Sequence, residues 1–148
     1  MRSPNPSQAS LTERMASVGK ALGEREAQQA EALAEARSHA ERLHQVVIDA
    51  IASFEVAAAA AGAPHLAIDV GEPRLDDKHV RSMEFDLQRG RHRAIVTFKS
   101  RGEVTLVGPF QAGKVEGPCQ RFPFDAGAEI EAALGDFLER FLEEAATP

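Results

Sequence analysis

The side chains able to do chemistry are few and far apart. Cys119 is the only cysteine, and His39, His44, His65, His79 and His92 are the five histidines. His39 and His44 are five apart on a run that reads as helix, so they do not share a face. The zinc-protease pattern needs a spacing of about four with a glutamate between. His79 and His92 bracket an extended segment and would lie on the order of 30 Å apart at about 3.3 Å per residue. They cannot hold one ion, and no metal or cofactor is expected. Asp76-Asp77-Lys78-His79 reads as a solvated turn, since adjacent carboxylates in a loop lack the desolvation that tunes a general acid. Gly108 to Lys114 ends in Gly-Lys but lacks the spacing of a phosphate-cradling loop. No nucleophile elbow or dinucleotide fingerprint is present. Cys119 has Arg121 nearby, which would favour a reactive thiolate. With no base assignable beside it, no catalytic residue is named, and a Cys-dependent enzyme is the weakest of three readings.

The densest charge is basic. Arg89, Arg91, His92 and Arg93 crowd one turn. A planar guanidinium in such a turn can grip phosphate, which makes nucleic-acid or other polyanion binding the alternative function. Asp86 lies diagonally from Arg93 across the strand pair and would neutralise it.

The elements that carry this turn can be placed in register. Met83, Phe85 and Leu87 alternate with polar residues, as do Ala94, Val96 and Phe98, and then Val104 and Leu106, which is the period of strands with one buried face. Gly90-Arg91 reads as a two-residue loop with glycine first, as a type II′ turn requires. Counting outward pairs Leu87 with Ala94, Phe85 with Val96 and Met83 with Phe98. A slip of one residue would mix the faces. Ser100-Arg101-Gly102 reads as a three-residue loop, so Lys99 faces Glu103, Thr97 faces Thr105 and Ile95 faces Val107. Ile95 and Val107 form a small apolar spot on the otherwise polar face, a candidate patch for a ligand or partner.

The chain has 148 residues, is 43% hydrophobic and 27% charged, and carries a formal net charge of −6. These values describe one soluble globular domain and argue mildly against a dedicated nucleic-acid binder. One cysteine allows no internal disulfide and suits a reducing compartment. The first ten residues lack the apolar core of a signal peptide, and no apolar run is expected to reach the roughly 18 residues of a membrane span. A cytoplasmic location without membrane contact follows as the expectation.

Residues 1–9 are expected to form a disordered tail. Ser10-Leu11-Thr12-Glu13 matches a capping box. Leu11, Met15, Val18 and Leu22 follow at helical spacing, weakened by Gly19 and Gly23 at about 1 kcal/mol each. Helix formers then dominate from Glu24 to Ala61 and stop at Gly62-Ala63-Pro64. In the second half, Leu43, Val47, Ala50, Ile51, Phe54 and Ala58 form a broad stripe for the sheet. Between Glu24 and Arg42 the stripe thins to Ala27, Ala30, Leu33, Ala36 and Ala40, which suits close helix pairing. This half is expected to project and pair with a second copy, or to fold back on Leu11–Leu22.

His65 to Val70 reads as a strand and Gly71 to His79 as a polar loop. Gly108 to Phe124 reads as mostly irregular, with a brief edge strand at Lys114-Val115-Glu116. A last helix begins with Asp125 as N-cap and buries Ile130, Leu134, Phe137, Leu138, Phe141 and Leu142. The expected fold is α+β in two layers: a long N-terminal helix, a four-stranded antiparallel meander and a C-terminal helix. Residues 10–42 form the projecting helical segment and 43–148 the α+β domain. The leading function is a non-enzymatic binding or adaptor protein. It would self-associate as a homodimer through Ala30, Leu33, Ala36 and Ala40, with a further protein partner possible.

Overall fold

A computed structural model describes residues 6–76, 81–111, 113 and 117–147. Helix α1 runs without a break from Pro6 to Ala60, 55 residues, on the order of 80 Å at about 1.5 Å per residue. Gly19 and Gly23 do not interrupt it, and Leu11–Leu22 does not fold back. Because helix begins at Pro6, Ser10 lies inside it and is no N-cap. Proline suits a helix start, where its missing N–H has no partner to lose.

Short strands β1 (Asp69–Val70) and β2 (Arg74–Leu75) follow, then β3 (Ser82–Arg89), β4 (His92–Lys99), β5 (Glu103–Gln111) and β6 (Cys119–Pro123). Helix α2 spans Gly127–Ala145. The sheet is antiparallel in the order β1-β3-β4-β5-β6, and β2 also pairs with β3. The α+β architecture with a long helix, an antiparallel sheet and a closing helix is therefore present.

The central register is the one that turn chemistry and alternation dictate. Leu87 faces Ala94, Phe85 faces Val96 and Met83 faces Phe98. Lys99 faces Glu103, Thr97 faces Thr105 and Ile95 faces Val107. Gly90 and Gly102 carry the positive φ, 58° and 96°, that these two loops need.

The flanks differ from expectation. Only Asp69 and Val70 of the segment from His65 pair with β3, at Gln88 and Leu87. Upstream, the backbone N–H of Ile68 instead donates to a Glu55 carboxylate on α1. The polar loop contains β2, in which Arg74 and Leu75 pair with Glu84 and Met83. Gly108 and Pro109 do not end β5. They form a bulge, two residues opposite Ala94, after which Phe110 pairs with Arg93. Gly108 has φ 119°, and a Cβ there would stand 3.1 Å from the Ala94 Cα, so only glycine fits. Cys119–Pro123 is a strand rather than irregular chain, because β5 offers it a free edge from Glu103 to Val107. The N-cap of α2 is Ala126, not Asp125, and no side chain caps it. Asp77 to Val80 and Lys114-Val115-Glu116 lie outside the described residues.

Both helices pack on one face of the sheet, α1 over β3 and β4, α2 over β4 and β5. The core between the layers holds Phe85, Phe98, Phe141, Leu87, Leu106 and Val47, all fully buried. Phe85 stacks on Phe98 with ring centroids 6.0 Å apart, and His44 meets Phe85 edge-on at 5.1 Å. Truncating such a phenylalanine to alanine typically costs about 3–5 kcal/mol.

Candidate functional site

Among the described residues no helix covers the opposite face of the sheet, and its charges are largely spent on each other. Arg93 Nη2 donates to Asp86 at 3.0 Å, while Arg74 reaches Asp86 and Glu84, each at 3.2 Å. This places the diagonal Asp86–Arg93 pair where the register required it. Burial pushes the Asp86 carboxyl up, but hydrogen bonds from Arg93 and Arg74 outweigh it and hold the group below its ordinary value. Glu84 goes the other way. Burial, reinforced by Asp76 and Asp86, raises it despite Arg74. At the far end of the face, Glu103 accepts from Arg101 and lies 3.7 Å from Lys99.

Between these groups, Ile95 and Val107 are directly opposite and half-buried. Their row continues to Asp86 on one side and to exposed Cys119 on the other. The apolar spot is thus two residues wide. Thr97 and Thr105 form the neighbouring row, and Thr105 is 4% exposed.

The four basic residues of the β3–β4 turn separate by role. Arg89 Nη1 donates to the backbone carbonyl of Ala145 and so caps the C-terminus of α2. Arg93 is held by Asp86. Arg91 is exposed and His92 half-buried, beside a cleft of about 340 Å³ that Arg89, Gln111 and Thr147 also line. The turn that looks densely basic in sequence therefore commits two of its three guanidiniums to the fold.

The chemistry-bearing residues do not converge. Among the described residues no group of three His, Cys, Asp or Glu side chains comes together. His39 packs on Phe124, ring centroids 4.3 Å apart, and lies 3.8 Å from Glu35. His44 is buried beside the core, and its Nε2 has no partner among the described residues. It lines a cleft of about 540 Å³ between α1 and β2, with Glu41, Glu72, Arg37 and Arg74 around it. None of the described residues that line this cleft is a cysteine, serine or threonine. The spacing of histidine pairs does not single out His44. The signal that marks it is its helical place between Ala40 and Val47, on the core face.

Among the described residues, the first half of the long helix stands open to water. Every residue from Ser10 to Gln28 is exposed. Within that run Leu11, Met15, Val18 and Leu22 keep 56, 54, 49 and 48% of their area open. They recur at steps of four, three and four, the seam of a coiled coil. The residues assigned to self-association from sequence sit elsewhere. Ala36 and Ala40 are fully buried in the chain's own core, Leu33 packs against it, and only Ala30 is exposed. The sheet layer reaches further along α1 than the change in stripe width at Arg42 suggests.

The second half of α1 also departs from expectation. From Val46 to Ala61 its only charges are Asp49 and Glu55. An 18-residue window within Ser10–Ala60 is long and apolar enough, by length and composition, to cross a membrane. Val47 and Ile51 of this half are core residues, whereas Val46 and Val56 are exposed at 43 and 72%. No family description, curated protein or solved structure matches the chain.

Proposed function

We propose that the protein is a non-enzymatic assembly module, an α+β domain that self-associates through the exposed N-terminal arm of α1. The observation that carries this reading is the stripe Leu11, Met15, Val18 and Leu22, half-open to water on a segment where every residue is exposed. A lone helix in water is held mainly by packing of an apolar face, and this arm also contains Gly19 and Gly23. Nothing in its own chain covers that face among the described residues. A second copy supplies a matching face at no cost in new sequence. The reading moves the pairing surface from Ala36 and Ala40, which the domain itself covers, to the four larger side chains beyond it. A cytoplasmic setting, argued from the single cysteine, belongs to the same proposal.

Light scattering on the intact chain tests it. The expected mass is that of a dimer, and the double variant Met15→Asp/Leu22→Asp is expected to be monomeric at the same concentration. Neither side chain touches the α+β domain, so the variant's domain should melt as the parent's does. A monomeric parent at micromolar concentration would refute the proposal.

A further inference from the structure

The arm's stripe is not set at random around the helix. Met15 and Leu33, Val18 and Ala36, Leu22 and Ala40 are each eighteen residues apart, five full turns at about 3.6 residues per turn. The exposed stripe is therefore the straight continuation of the face that the sheet covers. From Leu33 onward that side of α1 is filled by the chain's own core. A second helix lying on the stripe can run toward the domain only until it meets that core.

This restriction decides orientation. We infer that two copies pair antiparallel through their arms, with Leu11 packed on the partner's Leu22 and Met15 on the partner's Val18, and the two α+β domains at opposite ends. The inference rests on the self-association reading and adds the geometry to it. In a parallel pair, each helix beyond residue 33 would enter the space occupied by β3 and β4 of the other copy. It would also place Arg25 against the partner's Arg25 in the seam, three residues after Leu22 in the same heptad frame. The antiparallel pair avoids both. All four stripe residues meet apolar residues. Pro6 of one copy falls opposite Ala27 of the partner subunit, about 9 Å along the helix short of Leu33, where that subunit's own core begins. Shifting the pair by one heptad leaves Leu11 against Gln29 and Met15 against Arg25, so fewer apolar layers form. The free length of the arm, its stripe and the position of the sheet thus agree on one register.

Disulfide trapping tests this in the full chain. Exposed Cys119 is first replaced, C119S, and single cysteines are introduced as L11C and L22C. The two variants, one of them uniformly 15N-labelled so that mass tells them apart, are mixed, allowed to exchange and oxidised mildly. The expected product is the L11C–L22C heterodimer, with little disulfide from either variant alone. In the antiparallel register two copies of residue 11 stand about 16 Å apart along the helix, beyond disulfide reach. Disulfide formed efficiently by L11C alone and by L22C alone, on a chain of dimer mass, would overturn the antiparallel geometry and keep self-association. A dimer mass with none of the three disulfides would overturn the arm as the interface. A monomer by light scattering for the C119S parent would overturn the underlying reading as well.

Discussion

The two carboxylates of the open sheet face show how one residue's environment reverses the meaning of its charge. Asp86 is held below its ordinary value and contributes stability that is present above the unfolded-state value, near 3.9, and lost as pH falls through the lower folded value. Glu84 is raised, mainly by burial, so its ionisation opposes folding. Its contribution is largest below the unfolded-state value and fades as pH rises through the folded one. Asp86→Asn is therefore expected to lower stability at pH 7 by about 1–3 kcal/mol, because the Arg93 guanidinium loses its carboxylate partner. That difference from the parent should shrink below about pH 4. Glu84→Gln, by contrast, is expected to be neutral or mildly stabilising at pH 7, since Arg74 keeps Asp86. Urea unfolding at pH 7 and at pH 3 checks both. The Asp86–Arg93 contact was legible before any fold was known, because register alone makes it a diagonal neighbour. Arg74 was not, because the two-residue strand that delivers it has no period to read.

At the scale of elements, local chemistry fixed the meander and long-range pairing fixed its margins. Gly90 and Gly102 set two turns, alternation set the faces, and each demanded the same partners. β6 carries no such signal. Its five residues include Pro123, with Pro118 just before it, and it becomes a strand only because β5 presents an edge. The same holds for the end of α2. That helix has no basic residue in its last turn, and Arg89, distant in sequence, satisfies the Ala145 carbonyl in its place. Arg89→Ala is expected to destabilise the protein by about 1–2 kcal/mol and to fray the last turn of α2. Hydrogen exchange localised to residues 141–147 would show the fraying, and unchanged protection there would contradict the capping role. The same variant should leave the mass of the proposed dimer unaltered, because the turn is no part of the arm.

At the scale of the whole molecule, one helix serves two layers of organisation. Its stretch from Leu33 to Phe54 roofs the sheet, while the stretch from Ser10 to Gln28 stands clear of it. Thermal melting followed by helix content is therefore expected to show two transitions. The arm's transition should rise in temperature with protein concentration, because the partner proposed for it is a second copy, whereas that of the α+β domain should be nearly independent of it. A single transition insensitive to concentration would contradict intermolecular support of the arm.

The sequence by itself determined the two-layer class, the register of the central meander and the apolar stripe of α2, since all rest on periods of two or 3.6 and on turn residues acting locally. It did not reveal where the sheet stops along α1. Ala36 and Ala40 read as a thin seam for another helix, yet small side chains serve equally well where a sheet approaches closely. Only the tertiary structure showed that the chain's own core encloses them. With those alanines enclosed, Leu11, Met15, Val18 and Leu22 were left uncovered, because burial depends on what stands beside a residue as much as on what the residue is.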